Sequence, residues 1–169
     1  MNIVLHNPEI PHNTGAIGRT CLMTGSHLHL IRPYGFFLDE KSLKRSGLDY
    51  WPKINVHEYD NFEDFQERAT KAIIVKDYDE DDTGIIRKPR SFFVETDGGV
   101  NYTDVSYRPN DFLIFGSETT GLPPKILQAN KDSIIRIPMI KGERSLNLSV
   151  AVGIVLYEAL RQTGFDGLF

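Results

Sequence analysis

Ser145, Asn147 and Ser149 stand at every second position just ahead of an apolar helical pattern. They close the run Ile137-Pro138-Met139-Ile140-Lys141-Gly142-Glu143-Arg144-Ser145-Leu146-Asn147-Leu148-Ser149. Each can cap a helix, because its side-chain oxygen accepts from a first-turn amide. One helix start needs one cap, so the spare groups either hold a ligand or are redundant caps. A second run is Phe115-Gly116-Ser117-Glu118-Thr119-Thr120-Gly121-Leu122-Pro123-Pro124. Gly116, directly after an apolar strand, lets backbone approach a ligand closely, and Gly121 suits a turn with positive φ. Glu118 can accept hydrogen bonds from loop amides or a partner. The run is neither a P-loop nor a G-x-G-x-x-G fingerprint, and a tight structural loop explains it as well. A third run, Asn7-Pro8-Glu9-Ile10-Pro11-His12-Asn13-Thr14-Gly15-Ala16-Ile17-Gly18-Arg19, combines stiffening prolines, Asn13 as a helix N-cap, and Arg19 in the second turn. Gly15 and Gly18 share a helix face that another backbone could approach. The fixed charge and planar fork of Arg19 suit a phosphate or carboxylate, although a capped helix with a surface arginine has the same composition.

Weaker candidates divide the other way. His27 and His29 point to one side of a strand, and two ligands do not make a zinc site. Cys21 lies in a helix without an evident base and reads as a small core residue. Ser145 and Glu143 lack a nearby histidine, which leaves Ser-His-Asp hydrolysis without support. Lys41, Lys44 and Arg45 form a basic turn near Tyr50 and Trp51; such a patch binds RNA phosphates and stacks bases, or is a solvated helix face.

The elements that must position these groups alternate between strand and helix. Strands are expected at Asn2–His6, His27–Ile31, Ile54–His57, Phe112–Phe115 and Ile134–Ile137, with Ala72–Val75 and Phe92–Thr96 competing for one place in the main sheet. Helices are expected from Asn13 to about Gly25, over Glu40–Ser46, Phe62–Thr70 and Pro124–Ala129, and from Asn147 to about Gln162. Tyr78–Pro89 reads as a solvated loop. The pattern predicts an α/β fold, a mostly parallel sheet with helices on both faces. Ligands then collect at the carboxyl ends of the strands, where all three runs begin.

Composition sets the bounds. A chain of 169 residues fits a single domain, 1–169. Hydrophobic residues at 40% and charged residues at 25% are ordinary for a globular protein. The net charge of −4 means a nucleic acid must meet local basic patches. A single cysteine excludes an internal disulfide. Met1-Asn2-Ile3-Val4-Leu5 reads as a first strand, not a signal peptide, and no apolar run approaches the ~20 residues that span a bilayer. A cytoplasmic protein without a membrane partner is expected.

Together the three runs, with Ile135-Arg136-Ile137-Pro138-Met139 and Gly47-Leu48-Asp49-Tyr50-Trp51, resemble the SPOUT class of RNA methyltransferases. The match is closest to the minimal tRNA 2′-O-methyltransferase family that acts on the wobble cytidine or uridine, and it spans nearly the whole chain in order. The resemblance implies a C-terminal deep trefoil knot, a rare exception to chain threading. It implies S-adenosyl-L-methionine as cofactor and S-adenosyl-L-homocysteine as product. It carries cofactor binding onto Val94, Gly116, Glu118, Gly121, Ile137, Ser145 and Leu146, and catalysis onto Arg19, Ser145 and Asn147. It further implies a homodimer with the active site at the interface, in which Lys41, Lys44, Arg45 and Arg144 of both copies line one RNA groove. Thr120 departs from the arginine of many relatives, and the Tyr78–Pro89 loop is long for the family.

The implied reaction is methyl transfer from a sulfonium to a ribose oxygen. The electrophile is already activated, so no metal is needed and alignment dominates. Arginine stays protonated, with a pKa above about 12. Arg19 therefore suits stabilisation of the developing alkoxide, or a phosphate clamp, better than base duty. The alternatives are methylation of ribosomal RNA or another tRNA position, a catalytically silent RNA-binding protein of the same fold, and a plain ligand-binding α/β protein.

Overall fold

Ile3 and Leu5 face one side of their strand and Val4 the other, and the same alternation splits Leu113 and Phe115 from Phe112 and Ile114. Strands buried on both faces need a layer of helices on each side. The computed structural model describes residues 1–37, 50–73 and 89–168. Its elements run β1 (Asn2–His6), α1 (Pro11–Met23), β2 (His27–Ile31), β3 (Val56–Tyr59), α2 (Phe62–Ile73), β4 (Ser91–Val94), β5 (Val100–Asn101), β6 (Phe112–Phe115), α3 (Pro124–Ala129), β7 (Ile134–Arg136) and α4 (Leu148–Gln162), with 3-10 turns at Trp51–Lys53 and Lys131–Ser133.

The strands form one seven-stranded sheet in the order β3-β2-β1-β6-β4-β7-β5. Every pairing is parallel. On one face Ile17 and Cys21 of α1 pack with Val152, Val155, Leu156 and Ala159 of α4 over Ile3, Leu5, Leu113 and Phe115. On the other, Phe62 and Phe65 of α2 pack over Val4, Phe93, Phe112 and Ile114, with Ile126 and Leu127 of α3 alongside. Truncating a fully buried member such as Leu156 to alanine removes roughly 2–5 kcal/mol.

Register is what positions the site. Leu5 pairs with Phe115, Phe115 with Val94, and Val94 with Ile135. That transverse row ends the inner strands at one level. The residues that follow it, Glu95, Gly116 and Arg136, therefore emerge side by side.

Several sequence expectations shift. α1 starts at Pro11, with proline in its first turn and Ile10 as N-cap, so Asn13 is not the cap. Proline fits there because its missing N–H has no helical partner. The expected approach of backbone to the Gly15/Gly18 face is instead an approach of side chains: a Cβ on Gly18 would lie 2.8 Å from Ile54 Cδ1 and 3.1 Å from Trp51. β3 lies two residues beyond the expected Ile54–His57, because Ile54 belongs to the core ahead of the strand. Ala72 and Ile73 continue α2 instead of starting a strand, and β4 takes the place in the sheet. β5 was not anticipated. Residues 74 and 75, the Glu40–Ser46 helix, Gly47–Asp49 and most of the Tyr78–Pro89 loop lie outside the described residues. α3 matches its expected span, and α4 starts after Asn147 as its N-cap, with Asn147 Oδ1 accepting from the Ser149 amide at 2.9 Å.

Two buried polar arrangements tie the sheet together. Asp111 accepts from the Arg90 guanidinium at 2.6 Å and from the Arg90 and Arg108 amides. His29, 3% exposed, sits between Tyr59 Oη (2.9 Å) and Asn2 Oδ1 (3.1 Å). Asn2 Nδ2 donates to the Asn110 carbonyl, so Asn2 Oδ1 is the acceptor and His29 Nε2 carries the proton. His29 Nδ1 then accepts from the tyrosine hydroxyl. His57 stacks on His29 at 4.8 Å and on His27 at 5.6 Å.

Candidate functional site

A cavity of about 1050 Å³ opens at the carboxyl ends of β4, β6 and β7. Its lining includes every residue onto which cofactor binding was carried: Val94, Gly116, Glu118, Gly121, Ile137, Ser145 and Leu146. Asn147 lines it as well. The size suits a nucleoside-sized ligand.

A Cβ on Gly116 would lie 2.1 Å from the Gly121 carbonyl carbon and 2.3 Å from Leu122 N. The glycine thus lets the loop close on itself, in addition to placing backbone on the cavity wall. Ser117 and Gly121 exchange backbone hydrogen bonds, and Gly121 turns the chain with φ +66°. The hydroxyls of Ser117 and Thr120 meet at 2.8 Å. Thr120 thus closes the loop internally.

Glu118 clasps the loop after β1. Its carboxylate accepts from the amides of Glu9 (2.8 Å) and Ile10 (3.2 Å), and from Asn13 Nδ2 (2.9 Å). Glu9 reciprocates, accepting from the amide and hydroxyl of Thr119. Released from capping, Asn13 spans two loops, because its Oδ1 accepts from Asn147 Nδ2 at 3.0 Å. Asn147 in turn accepts from the Ser149 hydroxyl at 2.6 Å. Of the three capping candidates, Asn147 therefore caps and Ser149 supports it. Ser145 is exposed on the cavity wall, and its hydroxyl has no partner among the described residues.

Arg19 is not brought to this cavity. It projects from α1 into solvent, with its guanidinium 5.3 Å from the Tyr50 ring centroid. Tyr50 donates its hydroxyl to the Gly15 carbonyl at 3.0 Å, fixing the ring against α1. Arg144 is exposed and does not line the cavity. Lys41, Lys44 and Arg45 lie outside the described residues. Cys21 is buried in the core, and burial pushes its thiol up to about 12, far from a reactive thiolate.

Sequence reasoning missed Asn13 as a bridge and Glu95 altogether. Glu95 follows β4 directly and lines the cavity, with Oε1 accepting from Leu122 N at 2.7 Å. Burial pushes its carboxyl above the ordinary range, and hydrogen bonds from the Leu122 and Thr96 amides oppose the shift. An acidic residue straight after a parallel strand was the available signal.

The sequence profile of the family described as SpoU rRNA methylase matches residues 1–157. The chain belongs to the SpoU rRNA methylase family. Among the curated relatives of this SpoU methylase, a tRNA (cytidine(34)-2′-O)-methyltransferase of Yersinia pestis is 44% identical over 99% of the chain and 96% of the relative. The protein of the same name from Escherichia coli K12 is 43% identical over the same shares. A solved structure described as giving insight into the 2-OH methylation of C/U34 on tRNA superposes with TM-score 0.79 at 39% identity, covering 96% of this chain and 95% of that one. An rRNA methyltransferase from Sinorhizobium meliloti, solved with AdoMet bound, gives TM-score 0.71 at 26% identity over 95% of this SpoU methylase and 55% of that chain.

Proposed function

We propose that this SpoU methylase transfers a methyl group from S-adenosyl-L-methionine to the ribose 2′-hydroxyl of the wobble cytidine or uridine of tRNA. The observation that carries the reading is the end-to-end identity of 44% with a tRNA (cytidine(34)-2′-O)-methyltransferase. The cavity fits the cofactor on its own terms. It offers strand-end backbone at Gly116 and Ile137, and the unpartnered Ser145 hydroxyl. When bound, the sulfonium supplies an already activated methyl group, so no metal is required. Val94, Gly116, Ile137 and Leu146 would hold the adenosine end, and Ser145 would meet the polar end. Asn147, fixed by Asn13 and by its own cap, holds that wall in place. Glu118 acts through the loop it clasps.

Arg19 stands outside its own chain's cavity, which favours a homodimer in which one copy lends its arginine to the other's site. Tyr157 (50% exposed), Val150 (49%) and the half-buried Ile154 follow each other at spacings of four and three on α4, and Met23 (64%) projects from α1. Such an apolar helix face suits a second copy. At the interface Arg19 would stabilise the developing alkoxide or clamp the neighbouring phosphate. Arg144, with Lys41, Lys44 and Arg45, would take RNA phosphates. β4 lies between β6 and β7 although these follow one another in the chain, and the loops 116–123 and 137–147 meet over it. That crossing supports a deep trefoil knot within one domain spanning 1–169. No helix among the described residues is long and apolar enough to cross a membrane; a tRNA partner supports a cytoplasmic site of action.

The test is methyl transfer from labelled S-adenosylmethionine to total tRNA from a strain lacking the protein, followed by nucleoside mapping. Label on a wobble 2′-O-methylated nucleotide is expected. Label confined to ribosomal RNA or another tRNA position would replace the substrate and keep the chemistry. Failure to bind the cofactor would end the enzyme reading.

A further inference from the structure

We infer that Glu95 is a cofactor-binding residue that accepts hydrogen bonds from the ribose hydroxyls of the nucleoside in the cavity. The inference rests on the reading above and adds a side-chain contact to it.

Three observations carry it. First is position. β4 lies between β6 and β7, and Val94 pairs with both Phe115 and Ile135. Glu95 thus leaves the sheet between Gly116 and the residues leading to Ile137, the two backbone points expected to hold the adenosine. Second is hydrogen bonding. Oε1 accepts from Leu122 N at 2.7 Å and the Thr96 amide is a second backbone donor to the carboxylate, whose two oxygens together can accept more bonds than these two amides supply. The Oε1 contact fixes the carboxylate at the cavity wall, within 3.4 Å of where a Cβ on Gly121 would stand. Third is charge. Among the described residues no ion pair engages Glu95, although Arg136 and Lys141 line the same cavity. The result is a pre-positioned anionic acceptor with lone pairs left for a ligand.

A vicinal diol is the chemistry such a group takes. An acidic side chain past a strand end can accept from a ribose hydroxyl, as in other parallel α/β nucleotide sites. A hydrogen bond to a charged acceptor is about twice as strong as a neutral one. The adenine base offers an amino group too, and the test separates the two.

The measurement is calorimetric binding of S-adenosylhomocysteine and of its 2′-deoxy and 3′-deoxy counterparts to the wild-type protein and to Glu95→Gln. Glutamine keeps an acceptor for Leu122 N and removes the charge. The wild type is expected to bind at least one deoxy compound about tenfold or more weakly, and Glu95→Gln to compress that ratio to about threefold or less. Unliganded melting temperatures would stay close. Equal weakening of all three ligands in Glu95→Gln means that Glu95 only braces the Leu122 turn, and overturns the inference. So does a wild-type protein that does not distinguish the compounds, a result independent of whether the variant folds. A wild-type protein that binds none of them rejects the methyltransferase reading itself.

Discussion

Asn147 Nδ2 donates to Asn13 Oδ1 at 3.0 Å, joining side chains 134 residues apart in sequence. Asn13 passes the contact on through its own amide to Glu118. The start of α1, the loop after β6 and the start of α4 are thereby held by one carboxamide that is 3% exposed.

Asn13→Asp would turn that carboxamide into a carboxylate facing the Glu118 carboxylate. The donor disappears and two like charges meet in a poorly solvated place. Methyl transfer, read as kcat/KM, is expected to fall about 10- to 100-fold as the walls lose alignment. Asn13→Ala should cost roughly 1–3 kcal/mol in urea melts through the unsatisfied partners it leaves.

Gly116→Ala is the sharpest steric test. Its Cβ would fall 2.1 Å from the Gly121 carbonyl carbon, which is backbone and cannot rotate aside. A loss of about 2–3 kcal/mol in denaturant melts is expected, together with loss of cofactor binding. Gly99→Ala, where a Cβ meets nothing within 4 Å, should change neither.

Tyr157→Asp places a charge on the exposed apolar face of α4. On the proposed homodimer, sedimentation is expected to move from dimer to monomer, and methyl transfer to disappear while the monomer still melts cooperatively. A dimeric, active Tyr157→Asp protein would locate the interface elsewhere.

Acid stability should follow His29. Burial, with the nearby His57, His27 and Met1 amino group, lowers its pKa from 6.5 to about 3. The folded state thus refuses a proton that the unfolded chain accepts. The His29 contribution is full above about pH 6.5 and declines as pH falls from there toward about 3, by up to roughly 1.4 kcal/mol per pH unit. His57, lowered from the same 6.5, steepens that decline, while the Met1 amino group, lowered from 8.0, begins a separate decline at higher pH. His29→Gln should flatten the plot of urea midpoint against pH.

How much of this was readable in sequence depended on range. β1, β6 and α3 were legible because a continuous apolar run or a first-turn proline is a local signal. Ile54 and Ala72-Ile73 misled for a local reason too: a short apolar run fits a strand, a buried turn or a helix end equally. β5 consists of Val100 and Asn101, too short for any periodicity. In the site, the lining residues were legible through the family resemblance, whereas the loop closure at Gly116 and the bridge at Asn13 were not. Asn13 looks like a cap to its neighbours; its partners stand 105 and 134 residues away. Glu95 lacked a motif to announce it and became visible only when register set it between two other strand ends.

The clasp between Glu118 and Glu9 has a kinetic consequence. It ties the 116–121 wall of the cavity to the loop after β1 from both directions. The opposite wall, 138–146, is largely exposed, turns at Gly142 with φ +90°, and is braced from within by the backbone bond from the Glu143 amide to the Ile140 carbonyl. A nucleoside bound in the proposed site, between one anchored wall and one lightly tethered wall, would exchange by displacement of the second. Its exchange would then be gated by the stretch from Pro138 to Leu146, and changes in that stretch should alter the rates at which the ligand enters and leaves more than changes in the clasped wall do.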